Sequence, residues 1–124
     1  MKIEEHLNIP IFQQIAEGVE DAILSGAFLE EGQVPSTTEI SVTYKINPAT
    51  ALKGMNLLVA EGILYKKRGV GLFVAEGAVK KLKQKRKESF YENFIKPMTT
   101  EAARLGISQE ELMDMMRKEA KDDD

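Results

Sequence analysis

The side chains of this 124-residue chain that could do chemistry are cationic and hydroxylated. Lys66, Lys67 and Arg68 stand in a row just ahead of Gly69-Val70-Gly71, Thr50 and Lys53 precede them, and Ser36, Thr37 and Thr38 form a hydroxyl run further upstream. Ammonium and guanidinium groups suit phosphate oxygens and guanine, and threonine can donate, accept or offer a methyl to thymine, so the pattern points to nucleic-acid recognition. Catalysis has no comparable support. No nucleophile–base pair is visible, and the carboxylates fall on exposed helix faces or in the tail, where solvation is the default. The one histidine, His6, lies in the leader and reads as a surface residue, so a metal-sensing site is not expected. There is no cysteine, hence no disulfide framework and no thiolate metal site, which suits a reducing cytoplasm. No metal and no cofactor are expected.

Those residues need elements to position them. Pro10 precedes Ile11, Ile15, Val19, Ala22 and Ile23, whose spacing gives a helix with one apolar stripe, stopped at Gly26. Gln33-Val34 reads as a short extended piece, because the residue before Pro35 is biased toward β geometry. Ser36 and Glu39 form a capping box that opens a short second helix ending near Tyr44. After the turn Lys45-Ile46-Asn47, with Ile46 as a buried plug, Asn47 serves as N-cap and Pro48 as first residue of a third helix. On that helix Ala51, Leu52, Met55, Leu58 and Val59 are assigned to the inner face, with Ala49, Thr50 and Lys53 opposite. Gly54 is expected to permit close packing or close backbone approach. Ile63–Lys66 and Leu72–Val74 then flank the glycine-containing turn as a β-hairpin. Two helices, a tight turn and a basic hairpin make a winged helix-turn-helix, a shape that places its third helix in a DNA major groove.

Composition shifts after Gly77. Val79, Leu82, Phe90, Phe94 and Met98 suggest a long amphipathic helix bent or broken at Pro97, resuming through Thr99–Leu105 and stopping at Gly106. Ser108 and Glu111 form a second capping box before a final helix, and Lys121–Asp124 should fray. The fold class expected is α+β: a winged helix-turn-helix over residues 1–76, then a short all-helical region over 77–124. Phe90, Phe94, Leu105, Leu112, Met113, Met115 and Met116 are read as a homodimer interface. The net charge of −3 counts against a general nucleic-acid binder, but the basic residues cluster at the wing and in Lys80–Lys87, and a locally basic face on an acidic chain still attracts DNA. The run Lys80–Lys87 is read first as a solvated helix face. No apolar run is long enough to span a bilayer and no signal peptide is seen, so a cytoplasmic protein without a membrane partner is expected.

With P-I-F-Q-Q-I…A-I-L-S-G, V-P-S-T-T-E-I and E-G-I-L-Y-K-K-R-G-V-G-L-F-V in that order, the chain resembles the GntR family of transcriptional regulators over Ile9–Ala75. Asn47-Pro48-Ala49-Thr50 with Lys53-Gly54 and a short helical C-terminal part resembles its YtrA-type subfamily. The resemblance implies a homodimeric repressor on a palindromic, double-stranded operator, often near genes for ATP-driven transporters. It places Ser36, Thr37 and Thr38 at the DNA backbone, Asn47, Thr50 and Lys53 in the major groove, and Gly69, Val70 and Gly71 at the wing tip. Many members carry arginine where this chain has Thr38, Pro48 and Leu52, which shifts weight to Lys53, Lys66, Lys67 and Arg68. A small-molecule effector is possible but not indicated. The alternative is a protein-interaction module or anti-repressor that kept the fold without DNA affinity.

Overall fold

Pro10 and Gly26 bracket the first helix, α1 (Ile11–Leu24), in the computed structural model, which describes residues 1–122. Gly26 takes φ +87° just past the C-cap, a left-handed conformation that costs glycine nothing. The apolar stripe of α1 is buried through Ile15, Ala16, Val19 and Ile23. The leader is tied to this helix by Gln14. Its amide nitrogen donates to the Glu4 and Ile9 carbonyls at 2.8 and 2.9 Å, and its oxygen accepts from the Glu4 N–H at 2.8 Å.

Helix α2 (Thr37–Tyr44) opens on the expected capping box: the Glu39 N–H donates to Ser36 Oγ at 3.0 Å and the Ser36 N–H to the Glu39 carboxylate at 3.1 Å. It ends where Lys45 adopts a left-handed φ of +53°. The Ile46 N–H then returns to the Ser41 carbonyl, and the Ser41 hydroxyl donates to the Ile46 carbonyl at 2.7 Å, closing the turn. Helix α3 (Pro48–Ala60) follows with Asn47 as cap, its oxygen accepting from the Ala49 N–H at 2.8 Å. Gly54 lets α3 approach α1: a Cβ there would lie 2.7 Å from the Phe12 carbonyl oxygen and 3.1 Å from the Ile15 side chain.

Strands β1 (Leu64–Lys67) and β2 (Gly71–Val74) pair antiparallel, with Leu64 opposite Val74 and Lys67 opposite Gly71. The extended piece at Gln33 bridges to Phe73, and the Val34 N–H donates to the Leu72 carbonyl. One core gathers Ile15, Val19 and Ile23 of α1, Ile40 of α2, Met55 and Leu58 of α3, and Leu64 and Val74 of the hairpin. Ala78 and Leu82, from the first turns of α4 (Ala78–Phe90), join it, so this core reaches past residue 76. Glu30 holds that helix start: its carboxylate accepts from the Gly77 and Val79 N–H groups at 2.7 and 3.1 Å. These two bonds hold the Glu30 carboxyl below the usual carboxylate range.

The chain forms two compact units, Met1–Gln84 and Lys85–Asp124. In the second, a π-helical turn (Tyr91–Ile95) leads into α5 (Lys96–Arg104) and α6 (Gln109–Asp122). The irregularity expected at Pro97 lies in the turn before it. Proline lacks an N–H and its ring crowds the carbonyl one turn back, so the preceding turn widens and Pro97 itself sits in the first turn of α5. Gly106 at φ +72° stops α5, and the second capping box forms, with the Glu111 N–H donating to Ser108 Oγ at 3.1 Å. The expectation of a frayed tail is corrected for Lys121 and Asp122, which are helical; for Asp123 and Asp124 it lies outside the described residues.

Candidate nucleic-acid interface

The outward arc of α3 consists of Pro48, Ala49, Leu52, Lys53 and Asn56, all exposed, opposite the buried Ala51, Gly54, Met55 and Leu58. Leu52 is therefore not an inner residue, as expected from its apolar type, but 49% exposed. The reason is angular: one residue past Ala51 is a rotation of about 100° on a helix, away from the inward arc, while Gly54 is buried against α1. Val59, assigned to the same inner face, is half-buried against the core. Thr50 is half-buried at the edge of the arc, while Asn47 is exposed with its side-chain oxygen engaged as the α3 cap. On α2, Thr38 is exposed, whereas Ser36 and Thr37 are half-buried and the Ser36 hydroxyl is occupied by capping.

The cationic residues divide into two kinds. The Lys53 ammonium lies 4.1 Å from the centroid of the Phe12 ring, and the Lys67 ammonium 4.2 Å from that of Phe73. Such contacts are worth about 0.5–1 kcal/mol at exposed sites, small enough to exchange for a phosphate. Lys66 and Arg68 are exposed along the hairpin end. Strand alternation puts Lys66 on the face opposite Tyr65 and Lys67. The tip is shaped by Gly69 at φ +78° and Gly71 at φ +145°, which leave Val70 61% exposed.

Several supporting residues were not foreseen. The Gln33 amide donates to the Val70 carbonyl at 3.1 Å, and a Cβ on Gly71 would stand 2.7 Å from the same nitrogen, so the strand before α2 braces the wing tip. Tyr65 stacks on Phe73 with centroids 5.8 Å apart and donates its hydroxyl to Glu31 at 3.2 Å. Partial burial, then the Glu31 hydrogen bond and charge, push the Tyr65 phenol up. Phe12 as the seat of Lys53 and Asn56 on the outward arc were also missed. Helical spacing alone could have placed Asn56 there, since it lies four residues from Leu52. Nothing local in the sequence marks Gln33, because its partner stands 37 residues away.

In the second unit the residues assigned to a dimer interface lie at the surface: Phe90, Phe94, Leu105, Met113, Met115 and Met116 are exposed and Leu112 is half-buried. The Phe90 and Phe94 rings contact each other at 5.4 Å. Among the described residues, no group of three or more His, Cys, Asp or Glu side chains is placed to hold a metal ion, and no helix is long and apolar enough to cross a membrane.

A capped helix pair, a left-handed turn and a glycine-tipped hairpin on one core define a winged helix-turn-helix protein. Residues 11–74 match the gntR family of bacterial regulatory proteins, and the chain belongs to that family, one of regulators and not enzymes. It is 32% identical over 107 residues to the HTH-type transcriptional regulator YhcF of Bacillus subtilis, covering 85% of each chain. It is 25% identical to the HTH-type transcriptional repressor YtrA of the same organism, over 95% of this chain and 90% of that one. Among solved structures, a GntR-family regulator from Bacteroides thetaiotaomicron is 33% identical, with 92% and 99% of the two chains covered and a TM-score of 0.72. The DNA-binding domain of AraR in complex with an operator is 27% identical over 60% of this chain and 93% of that one, with a TM-score of 0.55.

Proposed function

We propose that this protein is a cytoplasmic, sequence-specific transcriptional repressor that binds a palindromic operator of transporter genes as a homodimer. The observation that carries the reading is the exposed α3 arc beside a glycine-shaped, basic wing, on the fold that AraR uses with its operator. Thr38, Asn47, Thr50, Lys53, Lys66, Arg68 and the Gly69–Gly71 tip form the DNA face, with Lys67 leaving Phe73 to join it. Ser36 and Thr37 place the α2 end. The winged helix, residues 1–76, is the DNA-binding part. The helices from residue 77 onward are the dimerisation part, through Phe90, Phe94, Leu105, Leu112 and Met113, Met115 and Met116. A dimer sets two α3 helices roughly 34 Å apart, or a multiple, on one face of the duplex. The YtrA likeness supports repression.

The test is titration of the protein against the promoter of its own gene cluster at low and moderate salt, beside an unrelated duplex. Selective binding that weakens steeply with salt is expected. Absence of any binding at low salt would replace the reading with that of a winged-helix module for protein partners. The lysines at rest on Phe12 and Phe73 and the net charge of −3 are the observations that favour this second reading.

A further inference from the structure

The α3 arc that would enter the groove is chemically unusual. Pro48, Ala49 and Leu52 offer no side-chain hydrogen-bond group, and Leu52 at the middle of the arc is a large aliphatic chain with about half its surface in water. Lys53 lies at the rim, its ammonium over Phe12 of α1. Leu52 stands outside the core and the residues packed against it, so core packing does not account for its exposure or its type. One position on, Lys53 marks the side toward α1; four positions on, Asn56 continues the arc along the helix.

The major-groove edge of a base pair presents acceptors, donors and, at thymine alone among the four bases, a methyl group. An aliphatic side chain can gain free energy only at that methyl; against the donors and acceptors of a G·C pair it strips water and returns no hydrogen bond. We infer that Leu52 is a specificity-determining residue that packs on the C5-methyl of a thymine, and that the recognition helix selects A·T pairs. Asn56, next along the arc, supplies the group suited to the N6/N7 edge of an adjacent adenine. The aliphatic exposure that would be a liability on a free surface becomes the reading element. This inference rests on the DNA-binding reading above and adds to it which base feature is read and by which atom.

The experiment uses the full-length protein and a randomised 30-base-pair duplex pool. After selection, the retained duplex is resynthesised with deoxyuridine replacing thymidine one position at a time, which deletes the methyl and keeps every hydrogen-bonding group. Affinities are measured at one salt concentration for the natural protein and for Leu52→Ala. One thymine in each half-site is expected to be sensitive, with the natural protein losing roughly three- to fivefold per methyl, the scale of burying one such group. Leu52→Ala, which acts in both protomers, should bind the thymidine duplex about as weakly as the natural protein binds a duplex with both sensitive thymidines replaced, and should not distinguish the two. A retained duplex in which no thymine is sensitive, or in which Leu52→Ala keeps the full sensitivity, overturns the role of Leu52 and leaves DNA binding standing. A pool from which nothing is retained at low salt overturns the DNA-binding reading and this inference with it.

Discussion

In the winged-helix unit Ile15, Met55, Leu58 and Leu82 are covered completely by neighbours, whereas in the helical unit Phe90, Phe94, Leu105 and Met115 keep half or more of their surface in water. Of the described hydrophobic residues in the second unit only Ala102 is buried. The first unit has the inside of a domain; the second keeps most of its large apolar side chains at its surface. The contrast also separates two meanings of an exposed apolar side chain. Leu52 and Val70 are single residues standing apart, on α3 and at the hairpin tip, while the exposed apolar residues of the helical unit recur from Phe90 at the end of α4 through to α6. Isolated exposed aliphatics are ordinary unless their place gives them a use, but a repeated set calls for a partner surface.

The largest effect is expected from the core. Met55 of α3 is fully buried in the core that α1 and the hairpin share. Met55→Ala should cost about 2–5 kcal/mol, by lost transfer energy plus a residual cavity. Urea unfolding should show this loss equally at low and high protein concentration. A loss that shrinks on raising the concentration would break the comparison, because it would mean that the first unit is completed by another chain.

Next comes the apolar face. Phe90→Asp with Phe94→Asp places charges where the dimer would bury rings. Sedimentation equilibrium should show a shift to monomer, with thermal unfolding of the winged-helix unit almost unchanged. A double variant that still sediments like the natural protein would remove these two rings from the interface and leave Leu105 and the methionines to form it.

Which parts of this were legible in the sequence follows from the range of the interactions. Both capping boxes, the Asn47-Pro48 start of α3 and the stop at Gly26 depend on residues within four positions of one another, and all form as read. The family resemblance over Ile9–Ala75 agrees with the match over residues 11–74. Leu52 is apolar in type yet exposed, because helix angle and not side-chain type decides which residues of α3 face inward. The seat of Lys53 on Phe12, the brace from Gln33 to Val70 and the clamp from Glu30 to α4 join residues 37 to 49 positions apart, or at least different elements, and no local signal announces them. The seven residues assigned to the interface lie at the surface for the most part.

The two capping boxes turn the comparison into a smaller, matched pair of changes. Ser36→Ala removes the acceptor for the Glu39 N–H and should cost roughly 1 kcal/mol, within the usual 0.5–2, independent of concentration. Ser108→Ala removes the same bond at α6, and its cost should appear as weaker association and a concentration-dependent melting temperature. Identical concentration dependence for the two variants would dissolve the distinction between the units.

The smallest effect sharpens the description of the first unit. Glu30 is held ionised by two backbone N–H groups at the start of α4, so its folded-state pKa lies below its unfolded one. A carboxylate shifted this way stabilises the fold at pH values above its unfolded pKa, and that contribution disappears as the pH falls through the lowered folded value. Glu30→Gln should therefore lower the melting temperature near neutrality, where the charged acceptor is lost, and change it little once the medium is acid enough to protonate the natural side chain. The two melting curves should converge as pH is lowered. Curves that stay parallel through the acid range would mean that the clamp acts by its shape and not its charge. The fit of the Glu30 side chain, beside the packing of Ala78 and Leu82, would then hold the start of α4 whatever its charge.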